Sequence, residues 1–240
     1  MKTLIIYFIA TSNYKMGFEP FRKNIHYFFP QFNKTVVVLS DGLDEWNGTN
    51  LNGVQYKVYH IHHFPWPMIT LFKMKLIHDF WEPGDYACYF NGDLQCNKGY
   101  NYFHSNYDFE KLNCMWHAGS SDRQFDETDF ANISPKSVAY IEGHYKYVQA
   151  SFFFGPGTIV KNMCREVELM VEKDLANNII PQWHDESYLN KWCVDHEDLV
   201  NKQRFGSYWN FKSKQSVAII NSFKKDRQTK VRYFESNNNN

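Results

Sequence analysis

The 240-residue chain lacks any excess of charge: 26 Lys and Arg stand against 26 Asp and Glu, a formal net charge of zero at pH 7. Proteins that draw affinity from neutralising phosphates usually carry a basic surplus, so nucleic acid is not an expected partner. The sequence also lacks a long apolar run. Nothing approaches the ~20 residues that cross a bilayer, and no transmembrane segment is expected. Met1 to Ala10, MKTLIIYFIA, has the look of a leader's apolar part. It is short and β-branched, however, and passes into Thr11-Ser12-Asn13 without a small-x-small cleavage pattern, so it reads as a first buried strand. Cysteines are few and odd in number (Cys88, Cys96, Cys114, Cys164, Cys193), with no CxxC pair. That argues against a disulfide framework or a zinc site and suits reduced thiols in a cytoplasm. There is no internal repeat and no Pro- or Ser-rich linker, so one domain with ample chain for a core is expected.

What is present is aromatic: Phe, Tyr and Trp make up 18% of the chain. Rings beyond the needs of a core often line surfaces that stack on sugars or bases, which directs attention to a sugar or nucleotide ligand. Strand-like segments rich in β-branched and aromatic residues occur at Lys2 to Ala10, Lys34 to Ser40, Val54 to Ile61 and Tyr86 to Asn91. Helical spacing separates them. Ile69, Phe72, Leu76 and Phe80 form one stripe on a helix starting near Pro67, and Ile159, Met163, Val167, Met170 and Val171 keep helical period over Thr158 to Leu175. The alternation predicts an α/β fold with a mainly parallel central sheet flanked by helices. Asn113 to Pro135 reads as a long polar loop, of a kind that is often functional, and Ser236 to Asn240 as a disordered tail.

Three constellations could carry chemistry. Asn91-Gly92-Asp93 ends the fourth strand, where open α/β sheets bind ligands, although Asn-Gly is equally a turn signal. Gln182-Trp183-His184-Asp185-Glu186-Ser187 precedes a helical pattern and joins a stacking ring to groups able to act as base, nucleophile or acceptor. A charged capping turn is the plainer alternative. Lys224, Lys225, Arg227, Lys230 and Arg232 could clamp a diphosphate or form a solvated surface. His60, His62 and His63 are not completed by a carboxylate or cysteine at a metal-binding spacing, and no metal is expected there.

Together these motifs resemble glycosyltransferase family 6, the family of the blood-group A and B transferases and the α1,3-galactosyltransferases. The most specific match is Trp183-His184-Asp185-Glu186-Ser187 with Leu189-Asn190-Lys191, followed by Tyr147-Val148-Gln149-Ala150-Ser151-Phe152-Phe153 in the place of the donor-specificity segment. Phe8-Ile9-Ala10, Lys73 and His117-Ala118-Gly119 match in family order. The resemblance covers the catalytic domain without the animal enzymes' anchor and stem, which points to a short bacterial-type member in the cytoplasm. It implies a GT-A fold over residues 1–235, with a nucleotide-binding part at about 1–95 and an acceptor-binding part at about 96–235. The implied reaction is a retaining transfer of GalNAc or Gal from UDP-GalNAc or UDP-Gal to a galactoside oligosaccharide, fucosylated or not, forming an α1,3 link.

Carried over residue by residue, the resemblance implies that Phe8, Ile9, Ala10 and Tyr14 hold uracil and ribose, and that Lys73 stands near the donor where the family has Arg. Asn91, Asp93, Gln149, Ala150, Ser151, Asp185 and Lys230 complete the donor site. His117, Trp183, His184, Glu186 and Asn210 face the acceptor, and Glu186 is the catalytic residue, as nucleophile or as stabiliser of an oxocarbenium-like transition state. The chain departs from the family at the metal motif. Animal members carry Asp-x-Asp for Mn²⁺ and bacterial ones Asn-x-Asn without metal; Asn91-Gly92-Asp93 is intermediate. No cofactor is therefore expected to be required, with Asp93 the residue for a metal if one binds. The small Ser151 and polar Gln149 favour UDP-GalNAc over UDP-Gal. A non-catalytic carbohydrate-binding protein is the alternative from another class. RNA binding, resting on the aromatics and the C-terminal cations, ranks below both.

Overall fold

The computed structural model describes residues 1–92, 94–96, 107–116, 134–143, 145–203 and 220–222. Strand β1 (Thr3–Ala10) lies at the centre of a sheet and is buried from Leu4 onward. Its side chains split by strand period: Ile5, Tyr7 and Ile9 enter one core, and Leu4, Ile6, Phe8 and Ala10 the other. Both faces are thus covered, as a central parallel strand requires. Helix α1 (Phe18–Asn24) buries Phe18 and Phe21 against the second face.

Strand β2 (Asn33–Ser40) pairs in parallel with β1, and after the short β3 (Asn50–Leu51) strand β4 (Val54–His60) pairs in parallel with β2. Helices α2 (Met68–Leu71) and α3 (Lys73–Asp79) occupy the segment expected to be one helix. Backbone bonding runs on through Phe72, whose N–H donates to Met68 O and whose carbonyl accepts from Leu76 N, both at 2.8 Å. The ψ of Phe72 opens to 1°, and this divides the helix there.

Strand β5 (Tyr86–Phe90) pairs in parallel with the other side of β1. Beyond the short β6 (Leu94–Cys96), strands β7 (Leu112–Trp116) and β8 (Val148–Pro156) bring antiparallel pairings, β8 lying between β5 and β7. Helices α4 (Gly157–Ala176) and α5 (Asp185–Asp195) pack on the first face, and β9 (Val200–Gln203) closes the far edge in parallel with β7. The sheet order is β3-β4-β2-β1-β5-β8-β7-β9, and β10 (Ile220–Ser222) pairs with β6 in a separate ribbon.

The expected α/β class, central sheet and flanking helices are therefore present, with the parallel pairings concentrated from β4 to β5. The polar loop expected over Asn113 to Pro135 needs correction: Asn113 to Trp116 belong to β7. Asn113 is fully buried because its amide donates to the carbonyls of Asp108 (2.7 Å), Lys111 (2.9 Å) and Phe154 (3.2 Å), so a polar letter in the sequence marks an interior site. Cys88, Cys114, Cys164 and Cys193 are buried free thiols. No helix among the described residues is long and apolar enough to cross a membrane.

Candidate active site

The segment before α5 sets the first half of the site. His184 N donates to Pro181 O (3.0 Å), Glu186 N to Trp183 O (3.0 Å) and Ser187 N to His184 O (3.1 Å), a tight reversal that enters the helix. His184 takes φ 48° and ψ −124°, a conformation that L side chains rarely adopt and that is typical of strain held at functional sites. The reversal puts Asp185 and Glu186 in the first turn, where the helix dipole favours negative charge. One turn on, the Asn190 amide fastens α5 to β8: Oδ1 accepts from Val148 N (2.8 Å), and Nδ2 donates to Val148 O (2.7 Å) and Glu186 O (2.8 Å).

A bulge in β8 supplies the second half. Cys114 on β7 stands opposite Phe153, whereas the next residue, Met115, stands opposite Gln149, leaving Ala150, Ser151 and Phe152 outside that ladder. Bulges of this kind re-aim groups beside active sites. Here Ala150 N donates to Glu186 Oε2 (3.1 Å), and Ala150 O accepts from Lys73 Nζ (2.8 Å). Lys73 also donates to Asp185 Oδ2 (2.5 Å), and its ammonium lies 4.7 Å from the centre of the Tyr89 ring. Lys73 and Asp185 are only 5% and 8% exposed, so the pair is an interior one whose charges depend on each other.

Glu186 sits deeper in the electrostatics than its position in a first turn suggests. Burial is the main influence and raises its carboxyl from the ordinary glutamate range to about 7. The Tyr147 hydroxyl donates to Oε1 at 2.6 Å and opposes that rise, the nearby Asp185 charge adds to it, and Ala150 N–H and Lys73 pull it down. The His184 imidazole is held below its usual value by burial, partly offset by Asp185.

Two exposed tryptophans flank this network. Trp183 is 41% exposed, and Trp66, 53% exposed, meets the His184 ring edge-on at 4.7 Å. Trp66 was not among the expected site residues; its place in Phe64-Pro65-Trp66-Pro67 signals only a helix start. Tyr147, Tyr89 and Asn190 were likewise not singled out as site groups, since their roles depend on contacts between separate elements.

At the carboxyl ends of β1 and β5, Phe8, Ile9 and Ala10 are all buried, and the Phe8 ring stacks on Phe21 at 4.3 Å. The ring expected to face a nucleotide is therefore core. Tyr14 packs against Gly92 so closely that a Cβ there would lie 2.7 Å from Tyr14 Cδ1, which explains the glycine of the Asn-Gly-Asp turn. Asn91 Oδ1 accepts from Tyr89 OH (3.0 Å), and Asn91 N donates to Ser151 O (2.8 Å), joining the turn to the bulge. The buried atoms Gln149 Nε2, Ser151 Oγ and Ser187 Oγ have no hydrogen-bond partner among the described residues, a deficit that a polar ligand or water would supply.

Asp93, His117, Asn210 and Lys230, with the remaining C-terminal cations, lie outside the described residues. At the Asn-Gly-Asp turn the described donor is the neutral Asn91 amide oxygen, already engaged by Tyr89. Metal-type donors from three residues, His78, Asp79 and Glu168, converge elsewhere, on the α3–α4 face. There Glu168 is neutralised by Lys75 and Arg165, each at 2.9 Å, so the cluster is an ion-pair network.

The model of "Glycosyltransferase family 6" matches residues 13–231. The O-antigen biosynthesis glycosyltransferase WbnI of Escherichia coli is 27% identical over 207 residues, covering 81% of this chain and 83% of that protein. Histo-blood group ABO system transferase 1 of Rattus norvegicus is 39% identical over 66 residues, 26% of this chain. Transferase 2 of the same organism is 38% identical over 66 residues. These matches span 19% and 20% of the length of the two rat proteins.

Proposed function

The chain belongs to glycosyltransferase family 6, and from that premise we propose that it transfers GalNAc from UDP-GalNAc to the 3-OH of a terminal galactoside, fucosylated or not, with retention and without a metal. The observation that carries this reading is Glu186, a carboxylate gripped by Tyr147 and Ala150 and flanked by the Lys73–Asp185 pair and an exposed tryptophan. Residues 1–235 act as one catalytic domain, the part at about 1–95 holding UDP and the part at about 96–235 the acceptor. Backbone groups of Phe8 to Ala10, with Tyr14, receive the nucleoside. Asp185 accepts hydrogen bonds from donor-sugar hydroxyls, positioned by Lys73. Glu186 serves the anomeric carbon as nucleophile or as stabilising anion, and both roles need it ionised. Trp183 gives the acceptor galactose an apolar face.

GalNAc is preferred because Ser151 is small and Gln149 Nε2 is a buried donor without a partner among the described residues, suited to an acetamido carbonyl. UDP-Gal is the second reading, favoured if the bulge leaves too little room for that group. Metal independence is supported by the neutral Asn91 and its engagement by Tyr89; Lys230 and its neighbours are assigned to the departing UDP. The test is transfer to a galactoside with each donor, with and without EDTA. The expected result is faster transfer from UDP-GalNAc, unchanged by EDTA. A strong preference for UDP-Gal removes the donor assignment, and loss in EDTA with recovery in Mn²⁺ removes the metal assignment. Failure to release UDP with either donor would favour a carbohydrate-binding role.

A further inference from the structure

We infer that Tyr147 is a positioning residue for Glu186: its phenol holds one carboxylate oxygen while Ala150 N–H holds the other, so that the group meets the sugar as an oriented anion. The inference rests on the transferase reading given above. Its basis is geometric. Residues 147–150 grip α5 at three successive points: the Tyr147 hydroxyl on Glu186 Oε1 at 2.6 Å, Val148 on the Asn190 amide, and Ala150 N on Glu186 Oε2 at 3.1 Å. A carboxylate offers about four acceptor sites, so two donors fix its plane and leave lone pairs for a substrate.

Tyr147 is buried, and burial together with the Glu186 charge pushes its own ionisation far upward, so it stays a donor across the working range. The charged and titratable groups that face the pair are Asp185 and His184 from its own end of α5, Lys73 from α3, and Tyr145, whose ring centre lies 6.4 Å from that of Tyr147. With Glu186 raised to about 7, the anion is only partly populated at neutral pH, and a donor that favours it controls how much enzyme is competent. Nothing in the sequence motif separates this tyrosine from its neighbours Tyr145 and Val148. The 2.6 Å contact does.

The experiment is the pH dependence of transfer, measured with whichever UDP-sugar the wild-type protein uses, alongside UDP affinity by calorimetry. Wild type should show an acid limb near pH 7. Tyr147→Phe keeps the ring and removes the donor, so the limb should move up by about one pH unit, with transfer about tenfold lower at pH 6 and approaching wild type by pH 9. UDP affinity should not change. A loss equal at every pH, or an unmoved limb, overturns the inference and leaves Tyr147 a packing residue. If the Phe variant does not fold, 3,5-difluorotyrosine placed at Tyr147 carries the test. A stronger O–H donor should shift the limb downward, and no shift overturns the inference. Absence of transfer by wild type at every pH would refute the transferase reading itself, a result distinct from either of these.

Discussion

From β4 through β2 to β1 the strands run parallel in unbroken register, with β1 buried on both faces by alternating apolar side chains. From β5 through β8 to β7 the pairing turns antiparallel and a bulge interrupts it. The backbone there bonds side chains as well as strands, and an ion pair and polar atoms without a partner among the described residues are buried. The first region gains its stability from burial, about 1.5–3 kcal/mol for each large apolar side chain. The second gives up regularity for the polar and charged groups assigned to the proposed site. Local rules agree with one another in the first region and conflict in the second, where the proposed site lies.

Substitutions can sharpen that contrast. The largest stability effect should come from Lys73→Met, which leaves Asp185 buried without its partner and should cost about 3–5 kcal/mol in chemical denaturation. Adding Asp185→Asn should restore much of the loss. Ile6→Ala in the regular half should cost a similar amount, about 2–5 kcal/mol, and that loss should simply add to the effect of any site variant. If Lys73→Met and Asp185→Asn add instead of compensating, the two regions are not built differently.

A smaller effect, opposite in sign, is expected at Glu186. Its carboxyl is raised to about 7 in the folded protein, so between the ordinary value of 4.5 and 7 the native state keeps a proton that the unfolded chain has released. Stability therefore falls as pH rises through that window. Glu186→Gln should stabilise the protein by about 3 kcal/mol at pH 8 and by almost nothing below pH 4. A gain independent of pH would contradict the assignment. The smallest effect concerns the exposed ring: Trp183→Ala should raise the acceptor KM about fivefold, roughly 1 kcal/mol, with the donor KM unchanged. Equal changes in both would place Trp183 elsewhere.

The regular half was legible in the sequence because its period is local. β1, β2, β4 and β5 fall within one residue of the segments expected from β-branched and aromatic runs, and α4 within one residue of its stripe. The other half was less so. Phe152-Phe153-Phe154 is an apolar run without a period, and its strand is defined by pairing with β5 and β7, both separated from it by long stretches of chain. The motif Trp183 to Ser187 brought Asp185 and Glu186 to notice, but not their partners. Lys73 is 112 residues from Asp185 and Tyr147 is 39 from Glu186, distances that only the folded chain closes. Phe8 shows the converse: its motif suggested a ligand, and its ring is core.

The proposed role of Glu186, as the group that meets the anomeric carbon, is tested most directly by Glu186→Gln. The amide fits the same pocket, accepting from Ala150 N–H and donating to the Tyr147 oxygen. Transfer should fall at least about a hundredfold while UDP affinity measured by calorimetry stays at the wild-type value. Transfer within a few-fold of wild type, or loss of UDP binding in step with transfer, would contradict that role.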